Sequence, residues 1–266
     1  MYETHWGLTE NPFQNSLDPR FFYCSKEHKE ALDMFSYCIK ESLGAAMLTG
    51  IFGCGKSLSV AVLLESLGEK YKHAFIRNPN LKSTELLREI VYNLGIKDNL
   101  PFEKTDLLHI LQETLINNAN DGKETLIIID DAHIIEDKMA FDELRLLLNL
   151  QFKDKFLLTL ILLGQNELEE KISANKPFSQ RIAVKFHLDR LNEEETNNYI
   201  NFRLKVAGQT KDIFSPDAIK YIFQNSAGIP RRINQLSGLS LFIGSNKNAK
   251  VIEEEIVREA SKYVVS

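Results

Sequence analysis

Residues 50–57 read Gly-Ile-Phe-Gly-Cys-Gly-Lys-Ser and fit the pattern G-x-x-x-x-G-K-[ST]. Few stretches this short restrict a fold so tightly. Such a loop turns its backbone N–H groups toward phosphate oxygens, and it needs a buried strand entering it and a helix leaving it. Both flanks are present. Residues 45–49 (Ala-Ala-Met-Leu-Thr) make a short apolar strand, and 58–67 carry a helical pattern. Gly53 and Gly55 let the backbone approach an anion, Lys56 is placed to reach β- and γ-phosphates, and Ser57 to bind Mg²⁺. Gly50, Cys54 and Leu58 complete the candidate nucleotide-binding run, with the helix dipole favouring the same negative charge.

Helices and strands alternate after the loop. Strands are expected at 73–76, 126–129, 156–163 and 183–188, and helices at 83–94, 107–117 and 141–152, with an earlier helix from Ser25 to about Ser42. Strands that are apolar throughout and separated by helices predict a parallel sheet covered on both faces. From Leu191 no strand candidates remain. Asn192 before three glutamates starts one helix, closed by Gly208. Ser215 starts a second, closed by Gly228; a third begins near Pro230, and a fourth carries Glu253, Glu254 and Glu255 in its first turn. The expected organisation is an aromatic N-terminal segment (1–24), a P-loop α/β domain (25–190) and a small all-helical lid (191–266).

Composition narrows the classes. A net charge of −5 argues against a dedicated nucleic-acid surface, and from Leu191 onward ten Lys/Arg stand against nine Asp/Glu with no basic stripe. Three cysteines without metal-ligand spacing (Cys24, Cys38, Cys54) fit a reducing compartment. The opening Met-Tyr-Glu-Thr-His-Trp is no secretory leader, and no apolar run is long enough to cross a bilayer. A soluble, cytoplasmic protein is expected.

The chemistry-bearing residues lie at strand ends. The strand at 126–129 runs into Asp130 and Asp131: the first is placed to hold magnesium through water, the second to polarise an attacking water. The strand at 156–163 runs into Gln165, a polar group able to sense a γ-phosphate. Arg181 precedes the last strand, where a neighbouring subunit could present it to phosphate in trans. Arg231 and Arg232 open the helix after Gly228-Ile229-Pro230. Cations oppose the dipole there, so a nearby anion, nucleotide phosphate first, explains them.

Taken together these features resemble an AAA+ ATPase, and within that class the ExeA/GspA family of general-secretion ATPases with its short relatives such as MshM of pilus biogenesis. The resemblance rests on "HWGLTENPF", "DPRFFYCSKEHKEAL", "LTGIFGCGKS", "GQNELEEKI", "QRIAVKFHLDRLNEEETNNYINFRLKVAG" and "FSPDAIKYIFQNSAGIPRRIN", nearly the full length. It implies ATP and Mg²⁺ as ligands and a ring or filament of copies as the active form. It makes Lys56 and Ser57 Walker A, Asp130 and Asp131 Walker B, Gln165 sensor 1, Arg181 an arginine finger and Arg231 sensor 2. It also suggests that "NPF" and "SKEHKEAL" wall an adenine pocket.

Two departures qualify the resemblance. The family pattern Asp-Glu-Ala-Gln reads Asp130-Asp131-Ala132-His133 here, and the family's membrane span and peptidoglycan-binding region have no counterpart, so direct cell-wall binding is not implied. Asp in place of Glu draws the carboxylate back by about 1.5 Å, which predicts slow turnover. The expected function is a slowly hydrolysing, oligomerising ATPase of an envelope-associated secretion, pilus or polysaccharide-export system, peripheral at the inner membrane through its partners. The alternatives are a DNA-associated AAA+ regulator of transposition or replication type, and a nucleotide-gated scaffold with little turnover.

Overall fold

The structure is a computed structural model, and it describes residues 2–153 and 155–264. In chain order it contains α1 (Glu3–Trp6), α2 (Lys26–Lys40), β1 (Ala45–Gly50), α3 (Lys56–Leu67), β2 (Tyr71–Ile76), α4 (Ser83–Asn93), α5 (Lys104–Asn120) and β3 (Glu124–Ile129). Then follow α6 (Lys138–Leu147), β4 (Gln151–Phe152), β5 (Lys155–Phe156), β6 (Leu158–Gly164), α7 (Asn166–Ala174), α8 (Lys176–Ser179) and β7 (Ile182–Leu188). The helices α9 (Glu193–Val206), α10 (Pro216–Ser226), α11 (Pro230–Asn246) and α12 (Glu254–Ser261) complete the chain. It forms two compact units, one of residues 29–51 and 59–188, the other of 2–28, 52–58 and 189–264.

The first unit holds a five-stranded sheet in the order β2-β3-β6-β1-β7, with every pairing parallel. Its register explains the apolar strands. Met47 lies opposite Leu162, and Leu162 opposite Ile129, all three in one buried cluster with residues of α4, α5, α6 and α7. The alternate residues Ala46, Leu48, Ile128 and Ile161 point the other way and are equally buried, so both faces are covered, as a parallel sheet requires. At about 1.5–3 kcal/mol per buried Leu or Ile side chain, this doubly covered sheet is the unit's main source of stability.

Three expected elements differ. The helix placed at 141–152 begins at Lys138, because Asp137 caps it by accepting from the Met139 N–H (2.9 Å), and it ends at Leu147. The expected strand 156–163 divides: Lys155–Phe156 pairs back on Gln151–Phe152 as a small antiparallel hairpin, and the sheet strand starts at Leu158. The helix expected at 107–117 extends from Lys104 to Asn120, because the polar residues of its ends show no apolar period.

The second unit has its own core, joining Trp6, Leu8, Phe13 and Phe21 to residues of α9, α10, α11 and α12. The aromatic N-terminal segment is therefore built into the helical unit. Trp6 donates its indole N–H to the Leu241 carbonyl (2.8 Å), and buried Arg203 donates to the Pro12 and Gln14 carbonyls while stacking on Phe21 (4.9 Å). The capping box at Asn192 and Glu195 starts α9, and Ser215 caps α10, both as the sequence predicts.

Candidate functional site

The glycine loop follows β1 and ends where α3 begins, the strand–loop–helix order the motif needs. Gly53 and Gly55 have φ of +87° and +103°, left-handed values at which a side chain is strained. Space is short as well: a Cβ on Gly53 would stand 2.8 Å from the Arg231 Cβ, which would have to shift, and one on Gly55 would press on the His28 Nε2 at 3.2 Å. Lys56, the first residue of α3, is buried at 7% exposure, with its Nζ 3.9 Å from the Cys54 Sγ. Cys54 is buried, which raises its thiol pKa. Ser57 and Leu58 are half-buried in the first turn.

Residues 52–58 belong to the helical unit, and the start of α11 packs on them. The Arg231 N–H donates to the Gly53 carbonyl (3.3 Å), and its guanidinium lies 4.1 Å from the centroid of the Phe52 ring. Pro230 at the first turn supplies a fixed φ and no N–H to satisfy. His28 closes the other side. Its Nδ1 bonds the Ser25 Oγ (2.7 Å), Phe22 meets its ring edge-on at 5.3 Å, and burial lowers its pKa, keeping the imidazole neutral. Phe52 and His28 are contacts that sequence reasoning did not assign. Aromatic and histidine residues beside a glycine motif carry no periodic signal; only the "SKEHKEAL" stretch pointed in this direction.

In the sheet unit the carboxyl ends of β3, β6 and β1 share one edge, with Ile129 opposite Leu162 and Thr49 opposite Gly164. Asp130, Gln165 and Gly50 therefore emerge side by side, at the edge where open α/β sheets bind ligands. The Asp130 N–H donates to the Ile76 carbonyl (2.8 Å), and its Oδ1 accepts from the Asp131 N–H (3.0 Å). Asp131 has φ +49° and ψ +36°, a left-handed conformation that aspartate tolerates better than longer side chains. That backbone gives a physical reason for aspartate at this position. Gln165, at the N-terminus of α7, bonds the His133 ring (3.0 Å).

Arg181 is elsewhere. It precedes β7, at the amino-terminal edge of the same sheet, and donates to the Asn149 Oδ1 (2.6 Å). Seven residues of strand, roughly 20 Å at about 3.3 Å each, separate that edge from the one carrying Asp130 and Gln165 in this unit. Oxygen donors suit magnesium, which usually keeps waters and takes one or two carboxylates along with substrate phosphates. Among the described residues no cluster of three or more His, Cys, Asp or Glu is arranged to hold a metal, and no helix is long and apolar enough to cross a membrane.

The AAA domain family matches residues 39–172, and the chain belongs to that family. By that membership it is an AAA-type ATPase, related to the general secretion pathway protein A of Aeromonas hydrophila. The two are 33% identical over 264 residues, covering 96% of this chain and 47% of that protein, so the chain spans about half the length of the curated relative it matches. The resemblance read from the sequence therefore holds. Among solved structures, the Cdc6 protein of Pyrobaculum aerophilum has a TM-score of 0.77 at 18% identity, covering 97% of this chain and 73% of that one. The ORC2 protein of Aeropyrum pernix, in its ADPNP-ADP complexes, has 0.73 at 17%, covering 97% and 72%. The RuvB branch migration motor of Thermotoga maritima has 0.60 at 16%, covering 90% and 68%. At such identities these structures share the fold, a parallel sheet followed by a helical region.

Proposed function

We propose that the chain binds ATP with Mg²⁺, hydrolyses it slowly, assembles with copies of itself and serves an envelope-associated secretion, pilus or polysaccharide-export system. The observation that carries this reading is the loop 52–58. Its glycines take left-handed φ values that other residues adopt only under strain, the backbone form such a phosphate loop needs, and Arg231 is hydrogen-bonded and stacked on the same loop. In this reading Gly50, Gly53, Cys54, Gly55 and Leu58 shape the cradle, Lys56 holds the β- and γ-phosphates, and Arg231 adds positive charge from α11. Ser57 and Asp130 hold the magnesium, which when bound neutralises phosphate charge. Asp131 orients the attacking water and Gln165 responds to the γ-phosphate. The secretion, pilus or export role rests on the relation to general secretion pathway protein A, and so do partners in such a system and a peripheral place at the inner membrane.

The rate test concerns Asp131. Its carboxylate falls about 1.5 Å short of a glutamate's, and a catalytic group misplaced by roughly 1 Å can lose about 100-fold in rate. Asp131→Glu is expected to raise kcat by roughly tenfold, less than the full factor because the left-handed backbone suits the longer residue poorly. Phosphate release under steady-state conditions measures it. An unchanged or lower rate would remove reach as the explanation of slow turnover.

Assembly depends on Arg181. Because this arginine sits at the sheet edge away from Asp130 and Gln165, it fits service to a neighbour better than to its own subunit. A head-to-tail contact of that kind closes as a ring or continues as a filament. Arg181→Ala should leave ATP affinity of the monomer intact, abolish ATP-dependent light scattering and lower turnover by roughly 10³-fold, the lower end for an arginine finger. Mixing Arg181→Ala with Lys56→Ala subunits should restore part of the activity, since some interfaces then pair an intact loop with an intact arginine. A co-assembled mixture as inactive as either variant would end the trans role. The DNA-associated alternative is checked by a gel-shift assay at two salt concentrations, where salt-sensitive retention of duplex DNA would favour it.

A further inference from the structure

The turn after β3 places a histidine between two of the residues assigned to hydrolysis. His133 is 12% exposed in its side chain, and its Nε2 lies 3.0 Å from the Gln165 amide nitrogen. An amide nitrogen only donates, so this orientation of the Gln165 amide assigns the acceptor role to the His133 Nε2 and the ring proton to Nδ1. That Nδ1 is enclosed, makes no hydrogen bond among the described residues, and stands 3.9 Å from the Asp131 Oδ1. The two contacts support one another. A proton on Nδ1 is attracted to the carboxylate, whereas the other tautomer would turn a lone pair toward it and require the opposite amide orientation at Gln165.

The main chain is held in the same way. Lys171 of α7 donates its ammonium to the His133 carbonyl and to the Ile135 carbonyl (2.8 Å). The helix beginning next to Gln165 therefore grips the turn twice, once by side chain and once by backbone. The Asp131 side chain is 46% exposed, so it is not enclosed in the turn as the His133 ring is. Asp131 and Lys171 are charged groups that approach this turn, the first at the ring and the second at the backbone.

We propose that His133 is a positioning residue. It fixes the amide of Gln165 through Nε2 and steers the Asp131 carboxylate through Nδ1–H, so that the β3 and β6 strand ends respond to nucleotide as one unit. The role rests on the hydrolysis reading above; the link itself is a property of the ligand-free chain and can be measured without turnover.

The first measurement is ¹⁵N NMR of the His133 imidazole in the full chain without nucleotide, at a pH where the ring is neutral. The Nδ1–H form is expected. Gln165→Ala should move the Nε2 resonance and Asp131→Asn the Nδ1 resonance. The Nε2–H form, or a ring indifferent to both substitutions, would overturn the proposal. The second measurement is phosphate release. His133→Ala should lower kcat by about tenfold with KM for ATP nearly constant, the pattern of lost transition-state positioning. His133→Gln keeps an arm toward Gln165 and His133→Asn an arm toward Asp131, so each should retain intermediate activity, which a residue that only fills space would not show. Wild-type activity with His133→Ala equally active rejects this inference alone. A wild type that releases no phosphate rejects the hydrolysis reading and this role with it.

Discussion

Lys56→Ala is expected to weaken ATP binding by roughly 10- to 100-fold while the chain stays folded. A hydrogen bond to a charged group is worth about 1.5–3 kcal/mol, and each 1.4 kcal/mol is a factor of about ten in affinity. Lys56 is the cation of the loop itself, buried at the first position of α3, so no exposed lysine replaces it. The fold should survive because Lys56 is a member of neither unit's apolar core. Calorimetric titration with ATP reads the affinity, and circular dichroism reads the fold. A variant that is folded and binds ATP as the wild type does would show that the loop is not the nucleotide site.

That prediction was available from eight consecutive residues, and the reason is physical. The cradle is made of neighbouring backbone, so the glycines that permit it appear together in the chain. The same locality made β1, β3 and β6 legible, since a strand buried on both faces must be apolar at every position. Elements failed where side-chain chemistry replaced periodicity. Asp137 starts α6 by a single capping bond, and β4 and β5 are two residues each. The contacts that define the site's surroundings were also hidden, because they join positions far apart in sequence: Arg231 with Phe52, Gly55 with His28, His133 with Gln165. A motif names the residues that touch a ligand; the residues that aim them answer only to three-dimensional packing.

The turn that delivers Arg231 to the loop supplies the second large effect. Gly228 has φ +72°, and a Cβ there would stand 1.9 Å from the Leu191 carbonyl oxygen and 3.0 Å from its carbon. These are backbone atoms and cannot rotate aside. The Leu191 N–H moreover donates to the Gly228 carbonyl (3.0 Å), so separating the two strands of chain breaks that bond too. Gly228→Ala should therefore destabilise the helical unit by roughly 3 kcal/mol or more, a fall in Tm of roughly 6–12 °C for a chain of this size. Nucleotide binding should weaken with it, because Ile229 and Arg231 reach Gly53 from this turn. Ala227 provides the control. It is the preceding residue, also left-handed at φ +51°, and Ala227→Gly relieves strain at no steric cost, leaving Tm unchanged or higher. Opposite signs at adjacent positions are what a clash with the Leu191 backbone requires. If instead Gly228→Ala melted with the wild type, the turn would have to relax around the added methyl, and the tight seating of Arg231 on the glycine loop could no longer be ascribed to Gly228.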